Sequence, residues 1–127
     1  MLRSLTALAC LAALAVLVGC GQSDQERARE VVQGYVDARN ADDFNAVCDL
    51  FGEKFKQDLG TADCPAFVAE QSGGADGGEE WQVVDVHVNG DVATADIDVT
   101  RESQGPSRIG VRLERQDDGN WRITGLQ

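Results

Sequence analysis

Residues 31–51 read VVQGYVDARNADDFNAVCDLF and contain the pattern that decides the fold. Apolar side chains recur there at the spacing of one helical face, at Val31, Val32, Tyr35 and Val36. Asn40-Ala41-Asp42-Asp43 interrupts this pattern, and its acids suit the start of a second helix. The second helix is predicted to carry one apolar stripe, formed by Phe44, Val47, Cys48, Phe51 and Phe55. An irregularity is expected in this helix at Gly52.

Further helix signals lie on both sides of this stretch. Ser23-Asp24-Gln25-Glu26 has the form of a capping box, with a serine N-cap and a glutamate three residues later. A short third helix is predicted to begin near Asp63-Cys64-Pro65, because a proline in the first turn loses no hydrogen bond. Its inward-facing residues are Phe67 and Val68.

The second half of the chain has the alternating pattern of strands. After the glycine-rich residues 72–78 the apolar period becomes two, which predicts strands over residues 81–88 and 91–100. Asn89-Gly90 between them is typical of a type I′ hairpin turn. Such a turn would pair Val86 with Ala93 and Val84 with Ala95, so that the apolar faces coincide.

The last hairpin depends on the length of its loop. A third strand is predicted to direct Ile109 and Leu113 inward and its arginines outward, toward the outward acids of the second strand. A three-residue loop, Asp117-Asp118-Gly119 with a left-handed Gly119, pairs Leu113 with Ile123 and keeps the apolar faces in register. Helices followed by a four-stranded antiparallel sheet predict an α+β fold, with the helices packed on one face of the sheet.

The first twenty residues have the form of an export signal. A single Arg3 precedes an apolar run over residues 5–18, which is short for a membrane-spanning helix of about 20 apolar residues and suits a secretory signal; a transmembrane anchor is the alternative. Leu17-Val18-Gly19-Cys20 resembles the lipobox of bacterial lipoproteins. The resemblance implies a signal peptide over residues 1–19, a diacylglycerol on the Cys20 thiol, and a lipidated tether over residues 20–23.

This resemblance also implies a location. The lipid would attach the protein to the cell membrane on its extracytoplasmic face, with residues 24–127 as one small domain. The formal charge is −11, and −12 once Arg3 is removed. So acidic a chain argues against a nucleic-acid partner, which would require clustered lysine and arginine. It also argues against electrostatic docking on anionic lipid headgroups.

Four cysteines are present, and two remain for the folded domain. Cys10 would be removed with the signal peptide and Cys20 would be acylated. Cys48 and Cys64 would then lie in a compartment that permits disulfides, so a Cys48–Cys64 disulfide is predicted. The alternatives are two buried free thiols or a metal-binding pair, although no histidine lies near either cysteine.

The helical segment resembles the first two helices of the NTF2-like superfamily, the cystatin-like α+β cone. The resemblance is carried by Val31-Val32, Tyr35-Val36, Asn40-Ala41, Asp43 and Leu50-Phe51. This superfamily includes ketosteroid isomerases and SnoaL-type cyclases. The resemblance implies a long helix lying across a strongly curved sheet, with a cone-shaped pocket between them.

The resemblance to the enzymes of this superfamily implies catalytic residues, of which this sequence contains only some. In ketosteroid isomerases the tyrosine at the Tyr35 position donates a hydrogen bond to the developing enolate, while a carboxylate moves the proton. Asp58 is the nearest candidate for that base, and the second acid has no counterpart. We therefore interpret Tyr35 as a residue of the core or of a pocket, with its hydroxyl bonded locally. No catalytic residue, cofactor or metal site is predicted, and His87 is the single histidine.

The expected function is that of a non-catalytic module at the cell envelope. It would bind a small apolar ligand in the cone or a protein partner on the sheet. The alternatives are an isomerase-like or cyclase-like enzyme that uses Tyr35 and an acid, and a purely structural envelope lipoprotein. Two carboxylates inside a cavity would favour the enzyme. A cone filled by aromatic side chains would favour the binding module; these side chains are Phe51, Phe55, Phe67 and Trp81.

Overall fold

Four helices precede four strands in the computed structural model, which describes residues 22–72, 78–102 and 104–127. The elements are α1 Asp24–Asn40, α2 Phe44–Asp49, α3 Glu53–Asp58, α4 Cys64–Gln71, β1 Glu80–Asn89, β2 Val92–Arg101, β3 Gly105–Arg115 and β4 Trp121–Leu126. The strands form one antiparallel sheet in the order β1-β2-β3-β4. The predicted α+β class is therefore confirmed. The predicted signal peptide and Cys20 lie outside the described residues.

Three helices begin at side chains that cap them. The Ser23 hydroxyl accepts a hydrogen bond from the Glu26 backbone N–H at 3.2 Å, as the capping-box pattern predicts. The Asp43 carboxylate accepts from the Ala46 N–H at 3.1 Å, and Asp63 caps α4 in the same way. Each cap satisfies an N–H that has no partner within its own helix.

The predicted second helix is interrupted by an interaction with the sheet. The N–H of Gly52 donates to the carbonyl of Ile123 at 2.9 Å, and the N–H of Ile123 donates to the carbonyl of Leu50 at 2.8 Å. Phe51 thereby forms a parallel bridge on the outer edge of β4. The irregularity predicted at Gly52 is therefore a break, and the single predicted helix is two helices, α2 and α3, because this pairing takes residues 50–52 out of the helix.

The first hairpin turns one residue later than predicted. Asn89 pairs with Val92, so Gly90 and Asp91 form the turn. Only Gly90 of the two has a positive φ, +65°, whereas a type I′ turn requires positive φ at both positions. Val86 consequently faces Ala95 rather than Ala93. The predicted register is wrong by two residues, but a shift of two keeps Val86, Ala93 and Ala95 on their predicted inner face.

Bulges interrupt both edge strands. In β1, Val83 pairs with Ile97 and Asp85 pairs with Asp96, which leaves Val84 without a partner. Val84 is 42% exposed, so its predicted inward position is wrong. In β4, Thr124 occupies the corresponding extra position. Bulges increase the local twist of a strand.

The last hairpin and a cross-strand ion pair agree with the sequence. Leu113 pairs with Ile123 across a three-residue loop, in which Gly119 has a φ of +83°. On the outer face, Arg108 Nε donates to Asp98 Oδ1 at 2.9 Å, directly across from β3 to β2. This hydrogen bond from Arg108 lowers the pKa of the Asp98 carboxyl.

The core lies between α1 and the inner face of the sheet. Small residues on β2, Ala93 and Ala95, leave room for the helix to approach. The largest side chains that are fully buried include Tyr35, Ile97, Leu113, Ile123, Val32, Val36 and Val47. In the part of the chain that the structure describes, no helix is both long enough and apolar enough to cross a membrane.

Candidate functional site

Tyr35 lies at the centre of the helix–sheet interface and is fully buried. The edge of its ring meets Trp81 at a centroid distance of 5.8 Å and an interplanar angle of 85°. Phe51 lies 6.4 Å away, and Phe55 packs on Phe51 at 4.9 Å. Edge-to-face contacts of this kind stabilise aromatic clusters beyond their buried area. The predicted placement of Tyr35 in the core is observed.

Arg39 lies one helical turn after Tyr35 and is only 9% exposed. Its Nε and Nη2 atoms each donate to the Tyr35 hydroxyl oxygen at 3.1 Å, and Nη1 donates to the Ser72 hydroxyl at 2.7 Å. The guanidinium also lies 4.8 Å from the centroid of the Trp81 ring, within the range of a cation–π contact. Arg39 was not predicted from the sequence, where its i,i+4 spacing from Tyr35 was the available signal.

The electrostatics of Tyr35 follow from this packing. Burial raises the pKa of the Tyr35 hydroxyl above its ordinary value, and the neighbouring Arg39 cation offsets part of that rise. The hydroxyl therefore stays protonated at neutral pH. Among the described residues, both donors to its oxygen come from Arg39, so the group is engaged within the core.

Asn40 fixes the position of Trp81. Its Nδ2 donates to the Trp81 carbonyl at 3.0 Å, and its Oδ1 accepts from the Trp81 N–H at 2.8 Å. The side-chain amide thus bonds the edge of β1 as a neighbouring strand would. This clamp holds Trp81 over the Arg39 guanidinium, and it too was missed from the sequence.

Asp58, the nearest candidate for a catalytic base, is not brought to Tyr35. It lies at the end of α3 with its side chain 59% exposed, and its carboxylate pairs with Lys54 Nζ at 2.7 Å. It borders a groove of about 390 Å³ together with Phe55 and Thr124. The exposed Asp58 carboxylate, paired with Lys54, does not share a cavity with the buried Tyr35 hydroxyl.

Cys48 and Cys64 form the predicted disulfide, with an S–S distance of 2.09 Å and a Cα–Cα distance of 6.1 Å. The bond joins α2 to the first residue of α4. Cys48 is 6% exposed and packs in the core. A disulfide leaves neither sulfur available as a thiol nucleophile or a metal ligand.

His87 lies on the outer face of the sheet, where it pairs with Thr94. Its Nε2 lies 2.8 Å from Asp85 Oδ2, and its side chain is 73% exposed. No group of three or more histidine, cysteine, aspartate or glutamate residues suited to a metal ion occurs within residues 22–72, 78–102 and 104–127.

Three surface grooves follow the outer edge of β4. One of about 450 Å³ lies between α1 and β4 and includes Trp121 and Arg122. A second of about 570 Å³ also reaches Arg122, and the third is the groove beside Asp58. Tyr35 lines none of the three. Within the described residues, the buried Trp121 Nε1 and Thr124 Oγ1 atoms have no hydrogen-bond partner.

Neither a protein-family profile nor a curated protein matches this sequence, but solved structures do. An NTF2-like protein of unknown function from Shewanella baltica is 13% identical, with a TM-score of 0.57 over 80% of this chain and 88% of that one. A candidate ketosteroid isomerase from Kribbella flavida is 18% identical, with a TM-score of 0.54 over 82% and 77% of the two chains.

A candidate dehydratase of the NTF2-like family from Streptomyces avermitilis is similar to the same extent. It is 16% identical, with a TM-score of 0.55 over 81% of this chain and 92% of that one. The fold of the described residues is therefore the NTF2-like arrangement of helices on a curved four-stranded sheet. At these identities the likeness establishes the fold, and the site must be judged on its own geometry.

Proposed function

We propose that this chain is a lipid-anchored, non-catalytic NTF2-like module that binds a protein partner at the extracytoplasmic face of the cell membrane. One observation carries the non-catalytic part. The Tyr35 hydroxyl accepts two hydrogen bonds from Arg39, and its ring packs against Phe51 and Trp81. A hydroxyl engaged in this way is a structural group of the core.

Packing around Tyr35 supports a protein partner over a small apolar ligand. Phe51 and Trp81 occupy the space beside Tyr35 that a ligand in the cone would need. The helix–sheet interface is filled by side chains that are buried or nearly so. A partner would then meet the surface of the domain, where the groove of about 570 Å³ borders β4.

The anchor follows from the lipobox-like sequence before Cys20 and is tested by mass spectrometry in a bacterial host. The wild-type protein should be found in membranes, cleaved before Cys20 and carrying acyl chains. Cys20→Ser should remain uncleaved and unlipidated, because the thiol is the acceptor of the diacylglycerol. Cys10→Ser is the matched control, since Cys10 lies in the removed segment and the variant should mature normally. Lipid on the Cys20→Ser protein would refute the anchor.

The second candidate function is an isomerase-like enzyme, favoured by the structural likeness to the candidate ketosteroid isomerase from Kribbella flavida. An isomerase assay on a ketosteroid with purified wild type and Tyr35→Phe decides between the two functions. We expect no turnover above the uncatalysed rate from either protein. Turnover by the wild type that Tyr35→Phe abolishes would replace the binding module with the enzyme.

A further inference from the structure

We infer that the groove between α1 and β4 seats the phosphate of a phospholipid headgroup from the anchoring bilayer, and so sets how the domain lies on the membrane. This inference rests on the proposed lipid anchor and goes beyond it. The groove has a volume of about 450 Å³. Its lining includes two arginines and one acid beside polar and apolar side chains: Arg27, Arg122, Glu30, Gln22, Val31, Leu50 and Trp121.

The groove lies at the point where the tether enters the domain. Gln22 lines it, and its Nε2 donates to Glu30 Oε1 on α1 at 2.5 Å. Two residues span at most about 7 Å, so Cys20 can lie no further than that from Gln22. The headgroup layer of each leaflet is about 5–8 Å thick. A lipid on Cys20 would therefore hold this groove at the depth of the headgroups.

The groove's residues suit that environment. Arg27 and Arg122 offer guanidinium groups, which match the oxygens of a phosphate. In the described part of the chain, neither forms a salt bridge, although Arg122 Nη1 donates to the backbone carbonyl of Asp49. The buried Trp121 and the half-buried Val31 and Leu50 form the apolar floor of the groove.

The net negative charge of the chain favours a lipid headgroup without net charge. The domain has about twelve net negative charges once Arg3 is removed, so an anionic surface would repel it. A zwitterionic phospholipid offers its phosphate without net charge. Arg27 and Arg122 therefore contact the phosphate of a single headgroup, and the lipid anchor keeps the domain close enough to the bilayer for this contact.

The two tryptophans provide the measurement. Trp121 borders the groove, whereas Trp81 is clamped by Asn40 at the other end of α1, about 15 Å further along the helix. Lipidated protein is reconstituted in vesicles of phosphatidylethanolamine and phosphatidylcholine with bromine on the acyl chains near the headgroups. Trp81→Phe leaves Trp121 as the reporter, and Trp121→Phe leaves Trp81. We expect Trp121 fluorescence to be quenched several-fold more than that of Trp81.

Substitution of Arg27 and Arg122 tests whether the quenching comes from headgroup binding or only from the short distance between the groove and the tether. In the Trp81→Phe background, Arg27→Gln with Arg122→Gln should reduce the quenching several-fold. Arg27→Lys with Arg122→Lys should retain most of it, because the charges remain. Arg108→Gln with Arg112→Gln is the matched control, since it removes the same charge from the outer face of the sheet and should change nothing.

Each outcome decides a different claim. Protein without lipid, which fails to float with the vesicles, overturns the anchor and this inference with it. Protein that carries lipid and floats, but whose two tryptophans are quenched equally, overturns the docking alone. Quenching of Trp121 that survives loss of both arginines shows a groove held near the bilayer by its tether or by a protein, and also overturns the headgroup contact.

Discussion

At the level of single residues, Arg39 is the charged side chain of the core, and its burial carries a desolvation cost. A guanidinium removed from water is costly unless its N–H groups are bonded. Arg39 bonds the hydroxyls of Tyr35 and Ser72 and stacks on Trp81. Ser72 in turn donates to the Val68 carbonyl at 2.8 Å, so the network connects α1 to the end of α4.

Removal of the Tyr35 hydroxyl should therefore cost more than an ordinary hydrogen bond. We expect Tyr35→Phe to lower the free energy of unfolding by about 1.5–3 kcal/mol at neutral pH, the range for hydrogen bonds to charged groups. Urea unfolding followed by circular dichroism measures it. A free energy of unfolding equal to that of the wild type would show that the Arg39 contacts contribute nothing.

The pH dependence of the same variant gives a second readout. The pKa of Tyr35 is raised in the folded protein, so above about pH 10, where the unfolded tyrosine ionises, the unfolded state binds fewer protons than the folded one. The stability that the wild type gains from its neutral hydroxyl is present below that pH and is lost as pH rises toward the folded pKa. The difference between wild type and Tyr35→Phe should shrink in this window. Tyr35 is the only tyrosine, so tyrosinate absorbance reports its ionisation directly.

At the scale of elements, the glycines of α1 and of the last hairpin have opposite roles. Gly34 lies inside α1, where a glycine destabilises the helix relative to alanine. A Cβ there would meet Leu50 Cδ1 at 3.7 Å, an ordinary contact. Gly119 has a φ of +83° in its loop, a conformation that other residues adopt at a cost.

The same substitution should thus act with opposite signs at the two positions. Gly34→Ala should raise the free energy of unfolding by about 0.5–1 kcal/mol, and Gly119→Ala should lower it by about 1–2 kcal/mol. Gly119→Asn is the control, because asparagine tolerates the left-handed region and should lose less than alanine. Thermal and urea unfolding of the three variants measure the changes; equal effects at both positions would contradict this account.

At the scale of the whole molecule, the disulfide and the short bridge at Phe51 hold the small helices against α1 and β4. Neither α2 nor α3 has more than six residues, and helices this short are not stable alone in water. The Cys48–Cys64 bond constrains this region by closing a loop with a sequence separation of 16. Covalent closure matters most in a domain that can bury only a modest core.

Replacement of both cysteines should show how much that closure contributes. We expect Cys48→Ala with Cys64→Ala to lower the free energy of unfolding by about 3 kcal/mol, the chain-entropy value for a loop of this length. Reduction of the wild type should produce a similar loss, and reductant should leave the double variant unchanged. Urea unfolding with and without reductant provides the comparison, and a wild type insensitive to reduction would exclude this role.

Features that depend on neighbours along the chain could be predicted from the amino-acid sequence alone. Helix starts at Ser23, Asp43 and Asp63, the order of helices before strands, and the last hairpin were all readable, because caps, side-chain period and glycine turns act locally. The disulfide was predicted because export would leave only Cys48 and Cys64 in the folded domain. The break at Phe51, the bulge at Val84 and the burial of Arg39 could be seen only in the folded chain. Each depends on a partner distant in sequence, Ile123, Ile97 or Trp81, whose position the fold alone sets.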